Sequence, residues 1–144
     1  MKLPLGYHRF HSNQFLNYQL NRWHSLGYAR IGDIQAVARK IKSFEDYVRE
    51  FQEACQLAVH EGRLKNAATY LRASEFLIPP DDSRKIPIYK KMLELFDETF
   101  KDENFGRHRV PYNGSFLAAI RIPSKTGELR GTIIGIPGFD AFIE

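Results

Sequence analysis

FGRHRVPYNGSFLAAIRIP, residues 105–123, decides how this 144-residue chain is organised. After Gly106 the apolar period drops to two, with Phe116, Ala118, Ile120 and Ile122 on one face. Asn113-Gly114 stands between two extended runs and is the pair that a two-residue hairpin turn favours, because both positions need positive φ. A β-hairpin is therefore expected. A second turn over 124–131 leads into Thr132-Ile133-Ile134-Gly135-Ile136, a continuous apolar run of the kind buried on both faces of a sheet, and predicts a central strand. Pro137-Gly138-Phe139-Asp140 then falls at the carboxyl end of that strand, where open α/β sheets place ligands. A plain strand-ending turn is the competing reading of the same four residues.

Upstream of Gly106 the period is helical. Phe15, Leu16, Leu20, Trp23 and Leu26 recur at helical spacing over 12–26, and Gly27 supplies a stop. Asp33 precedes Ile34, Val37, Ala38 and Ile41, which predicts an N-cap and a short second helix. Ser43 with Asp46 three residues later has capping-box spacing, and introduces Phe44, Tyr47, Val48, Phe51, Cys55 and Ala58 in a third helix ending near Gly62. Leu64, Ala67, Ala68 and Leu71 open a fourth, closed by Pro79-Pro80. A fifth carries Pro87 in its first turn, then Tyr89, Met92, Leu93, Phe96 and Phe100. The two helices around Gly62 form an αα-hairpin whose alanines, Ala54, Ala58, Ala67 and Ala68, permit close approach. The expected fold is α+β: a helical segment of about five helices over 1–105, followed over 106–144 by the first strands of a sheet.

Composition bounds the function. With 43% hydrophobic residues, 11 Phe, 7 Tyr and 1 Trp the chain can build a core. No apolar run approaches a membrane span, and MKLPLGYHRF lacks the apolar stretch of a secretory signal, which predicts a cytoplasmic protein without a membrane partner. The net charge of +4 is uneven: residues 1–42 hold seven Lys/Arg against one acid. Arg22, Arg30, Arg39, Lys40 and Lys42 fall on several helix faces rather than one stripe, which argues for solvated surface and against a nucleic-acid partner. Cys55, the single cysteine, has apolar helical neighbours and reads as a buried thiol.

Several motifs together resemble one family. Phe15-Leu16-Asn17-Tyr18-Gln19-Leu20-Asn21-Arg22-Trp23, Gly27-Tyr28, the hairpin around Gly62, Val110-Pro111-Tyr112 and Gly138-Phe139-Asp140 are similar to the α/β-hydrolases that include 2,6-dihydroxypseudooxynicotine hydrolase, the fungal polyketide-shortening hydrolases and the fermentation-respiration switch esterases. The resemblance implies a serine hydrolase cutting a carbon–carbon or ester bond beside a carbonyl in a small molecule, without a cofactor. It also implies a helical cap that covers the site and helps to form a homo-oligomer, most simply a dimer. The family's oxyanion loop falls on Ile136-Pro137-Gly138-Phe139, so the backbone around Gly138 and Phe139 would hold the negative oxygen of a tetrahedral intermediate. Two departures stand out: Ile136 replaces the family's His, and Pro137 has no N–H to donate.

The rest of the machinery is missing from the sequence. None of the seven serines lies in G-x-S-x-G. Ser25 comes nearest, but it sits on a helix, where His24 and Ser25 point about 100° apart and do not form a base and nucleophile. His8, His11, His60 and His108 show no H-x-x-x-H spacing and no accompanying cysteine, so no metal site is expected. Asp81-Asp82 beside Arg84-Lys85 reads as a polar linker, and Glu94, Asp97 and Glu98 as the wet face of the fifth helix. The expectation is a truncated, N-terminal portion of a serine α/β-hydrolase, inactive by itself. The alternative is a small helical interaction module, since Gly62, Ala67, Leu71 and Pro79 have the spacing of a tetratricopeptide unit, although one unit alone buries no continuous core.

Overall fold

The computed structural model describes residues 6–103, 105–128 and 131–136. They form five helices followed by a two-stranded antiparallel sheet, the α+β arrangement expected from the change of period. The chain divides into two compact units, Met1–Thr99 and Phe100–Glu144. Residues 100–103 are turn and bend, so the helical unit stops six residues ahead of the change of period at 105/106.

Helix α1 spans Gln14–Ser25, and its N-cap Asn13 accepts the Leu16 N–H at 3.0 Å. Leu16, Leu20 and Trp23, at i, i+4 and i+7, turn into the core. Phe15 and Leu26 belong to the same sequence stripe but are exposed: Phe15 lies one position to the side and Leu26 lies past the last helical turn. Exposed Phe15 instead meets exposed Phe44 edge-on, with centroids 5.9 Å apart.

Helix α2 spans Ile31–Lys40 and starts two residues ahead of Asp33. Asp33 is not its N-cap. That position is Arg30, which makes no side-chain cap bond. The Asp33 carboxylate is recruited across the fold, accepting Tyr70 O–H at 2.6 Å and Arg63 N–H at 3.0 Å. Tertiary partners have displaced the local cap that the residue type suggested.

Helix α3, Phe44–His60, begins and ends as its sequence dictates. Ser43 Oγ accepts Asp46 N–H at 3.1 Å, and the Asp46 carboxylate accepts the Ser43 hydroxyl at 2.9 Å and Lys42 N–H at 3.1 Å. At the other end Gly62 takes φ +70°, Arg63 N–H donates to Ala58 O at 2.8 Å and Gly62 N–H to Val59 O at 3.0 Å. Those two bonds make a Schellman stop, whose left-handed residue is glycine because a Cβ there is strained. Helix α4, Leu64–Phe76, returns against α3, with Ala58 and Ala67 fully buried where the two pass closely. Helix α5, Lys85–Thr99, follows the Pro79-Pro80 turn and packs on α4.

Tyr47, Phe51 and Tyr70 are fully buried at the centre of the helical unit, with Phe51 4.6 Å from Tyr47 and 6.0 Å from Tyr70 between ring centroids. Trp23 Nε1–H donates to Tyr47 Oη at 2.7 Å, so the polar tips of two large aromatics satisfy each other inside the core. Cys55 is buried as expected, and burial pushes its thiol from an ordinary value near 9 up to about 11. A thiol whose folded value is raised loses stabilisation as pH climbs from about 9 to about 11 and contributes constantly below that window. At pH 8 an aromatic disulfide reagent should therefore label Cys55 only as fast as the helical unit opens. Labelling at the rate of the denatured chain would show the thiol to be exposed.

In the second unit β1, Gly106–Tyr112, pairs with β2, Ser115–Arg121, from Gly106↔Arg121 to Tyr112↔Ser115. Asn113 at φ 44° and Gly114 at φ 74° form the type I′ turn that Asn-Gly signalled. The apolar run 132–136 departs from its expected form: residues 131–136 are in no strand, and Ile133, Ile134 and Ile136 are 98%, 82% and 87% exposed. A strand buried on both faces needs a neighbour on each edge and a layer above and below, and the described residues supply none of these to it. Among the described residues no helix is long and apolar enough to cross a membrane.

Candidate functional site

The expected oxyanion residues Gly138 and Phe139, with Pro137, lie outside the described residues. Ile136, immediately before them, is exposed. Of the other candidates, His8, His11, His24, Ser25, Asp82 and Glu94 are engaged in contacts within the helical unit, whereas His60 and His108 are exposed.

His24 and Ser25 do not face each other as base and nucleophile. His24 Nδ1 lies 3.2 Å from Ala29 O, while the Ser25 hydroxyl donates to Arg22 O at 3.0 Å, back along its own helix. His8 and His24 meet edge-on at 5.3 Å, and Phe10 packs on both rings. His11 spans two segments, its Nδ1 accepting Asn13 N–H at 3.0 Å and its Nε2 lying 3.2 Å from Ile41 O. Histidines 60 and 108 are exposed, and the His108 ring leans over Gly106 on the same strand. No group of three metal-ligating side chains occurs among the described residues.

Asn17 and Asn21, one turn apart on α1, clamp the segment before it. Asn17 Oδ1 accepts Phe10 N–H at 2.7 Å and His11 N–H at 3.0 Å. Asn21 exchanges two bonds with the backbone of His8, accepting its N–H at 2.7 Å and donating to its C=O at 2.8 Å. The Phe15–Trp23 motif thus combines a core stripe with a backbone clamp. Asn17→Ala should leave the Phe10 and His11 amides without their acceptor, cost about 1–3 kcal/mol and speed hydrogen exchange at those two amides. Unchanged exchange there would show that the clamp is not formed.

The acids are structural as well. Asp82 and Glu45 hold the Arg84 guanidinium between the start of α3 and the turn before α5, and the bonds from Arg84 keep the Asp82 carboxyl down at about 2. Glu94 pairs with Lys91 along α5 at 2.8 Å. Two further acids carry no signal within their own helices. Glu50 is buried and joins Lys40 and Arg49, each at 2.9 Å; burial opposes its ionisation, but these bonds outweigh it and hold its carboxyl below the usual range. Glu75, 2% exposed, bonds both Arg72 and Lys85, the latter at 2.6 Å. Lys85 Nζ also donates to Glu75 O and Ile78 O, fastening the start of α5 to the end of α4. Burial pushes the Tyr70 phenol well up, and the Asp33 carboxylate it bonds keeps it there. A neutral phenol bonded to an ion-paired carboxylate is a strut, not a proton donor poised for chemistry.

No family model matches the chain, and no curated protein matches it significantly.

Proposed function

We propose that this chain is the N-terminal portion of a serine α/β-hydrolase of the cytoplasm that cleaves a carbon–carbon or ester bond next to a carbonyl. Residues 1–105 act as the helical cap and dimerisation segment, and 106–144 open the hydrolase core. The backbone of Gly138 and Phe139 contributes the oxyanion contact, while the nucleophile, acid and histidine come from elsewhere. The observation that carries this reading is the exposed run Ile133, Ile134 and Ile136 in the same unit as a two-stranded sheet, an apolar surface that calls for further strands and helices. The engagement of Ser25, His24 and the buried Glu75 in holding the helices supports the inactivity of the chain alone.

The isolated chain should hydrolyse no short acyl ester and take up no fluorophosphonate probe, because oxyanion contacts without a nucleophile leave only residual stabilisation. Covalent labelling at any serine would overturn the reading. A second reading, a helical interaction module, is favoured by the consecutive packing of α3 on α4 and α4 on α5. A peptide-binding module would be equally inert to the probe, so the two readings are separated by the coding sequence downstream of the Glu144 codon.

A further inference from the structure

The two edges of the β1–β2 sheet are chemically unlike. Across a two-residue I′ turn the closing pair Tyr112 and Ser115 exchanges ladder bonds, as do the alternate pairs Val110/Leu117 and His108/Ala119. The residues between them direct their N–H and C=O groups outward. On β1 these are Arg107, Arg109 and Pro111, and Pro111 has no N–H to offer. On β2 they are Phe116, Ala118 and Ile120, each with a donor and an acceptor and none with a charge. Natural sheets protect such edges with proline or charge, and only the β1 edge carries that protection. Among the described residues no third strand pairs with β2.

We propose that the β2 edge, Ser115–Arg121, pairs antiparallel with β2 of a second copy about a two-fold axis at Ala118. This rests on the reading that the chain by itself holds an incomplete sheet. The edge is complementary to itself in that register. Phe116 falls opposite the partner's Ile120, an aromatic and β-branched pair of the kind that stabilises sheets, and Ala118 falls opposite the partner's Ala118. Arg121 falls opposite the partner's Ser115, so no like charges meet. The Arg109 guanidinium lies 3.5 Å from the Phe116 ring centroid and covers the outer face of that contact. Pro111 then stands on both outer edges of the four-stranded sheet and stops growth, giving a closed dimer instead of a filament.

Oxidative cross-linking of the full chain tests this. Facing residues in a hydrogen-bonded antiparallel pair have Cα atoms about 5.5 Å apart, within disulfide reach. Ala118→Cys should give a disulfide-linked dimer under mild oxidation, whereas Ala119→Cys, on the other face and opposite the partner's Leu117, should form no intermolecular disulfide, and neither should the parent with its buried Cys55. Ala118→Pro removes only an outward N–H, so the hairpin keeps its ladder and the dimer should be lost in sedimentation at tens of micromolar. Equal cross-linking of the two cysteine variants, or no cross-linking of Ala118→Cys, would overturn the proposal, and this comparison decides even if Ala118→Pro unfolds. Probe labelling at a serine would sink the hydrolase reading without touching the cross-linking result, so the two failures are distinguishable.

Discussion

Phe51→Ala should lower the unfolding free energy of the helical unit by about 3–5 kcal/mol, the range for truncating a buried aromatic whose cavity cannot collapse. Phe51 is fully buried between Tyr47 and Tyr70, on the two helices whose alanines already bring the backbones close. Neither tyrosine is free to fill the hole: Tyr47 is tied to Trp23 Nε1 and Tyr70 to Asp33. Trp23→Ala should cost a similar amount for a different mixture of reasons, since it removes the indole and also leaves the Tyr47 hydroxyl without its partner. Urea denaturation followed by far-ultraviolet circular dichroism measures both. Unchanged midpoints would mean that these stripes do not face the core.

Glu75→Ala is expected to be comparably damaging, about 3–5 kcal/mol, because it removes the carboxylate that neutralises two largely buried cations at once. Arg72 and Lys85 are themselves largely buried beside it, at 17% and 22% side-chain exposure. Exposed pairs behave differently: Lys91→Ala, which removes a partner of Glu94 at the wet surface of α5, should leave the urea midpoint essentially unchanged, because solvent screens that pair. A double-mutant cycle of Glu75→Ala with Lys85→Met separates the cost of the unneutralised charge from the direct interaction. A cycle showing no coupling would mean that the two groups do not share a buried ion pair.

Much of the fold is legible in local chemistry because the local signals are self-sufficient. Ser43 with Asp46 caps α3, Gly62 stops it, Pro79-Pro80 separates α4 from α5, and Asn113-Gly114 makes the I′ turn, each without help from distant residues. Asp33 shows where this fails. Its type and position suggest a cap, but a cap competes with any stronger partner that tertiary structure brings near, and Arg63 and Tyr70 are some thirty to forty residues away in sequence. Glu50 and Glu75 were invisible for the same reason: nothing in α3 or α4 alone says which acid turns inward, because the cations that make burial tolerable come partly from α2 and from the start of α5. The Asn17 and Asn21 clamp had a signal, two asparagines at i, i+4 flanking the apolar stripe of α1.

The strand unit was legible only in part. The hairpin needs only its own turn and register, whereas Thr132–Ile136 needs neighbours that the described residues do not provide, and its isoleucines stay in solvent. The site reading depends on the same segment. The expectation for Gly138 and Phe139 rests on a loop that follows this strand, whereas the described side chains with catalytic chemistry, His24, Ser25 and the acids around Arg84, hold contacts within the helical unit.

Sequencing the source DNA through and beyond the Glu144 codon tests the hydrolase reading most directly. The account predicts an in-frame continuation carrying G-x-S-x-G between a strand pattern and a helix pattern, with an acid and a histidine after it. A stop codon followed by unrelated sequence would contradict it and leave the helical interaction module as the standing reading.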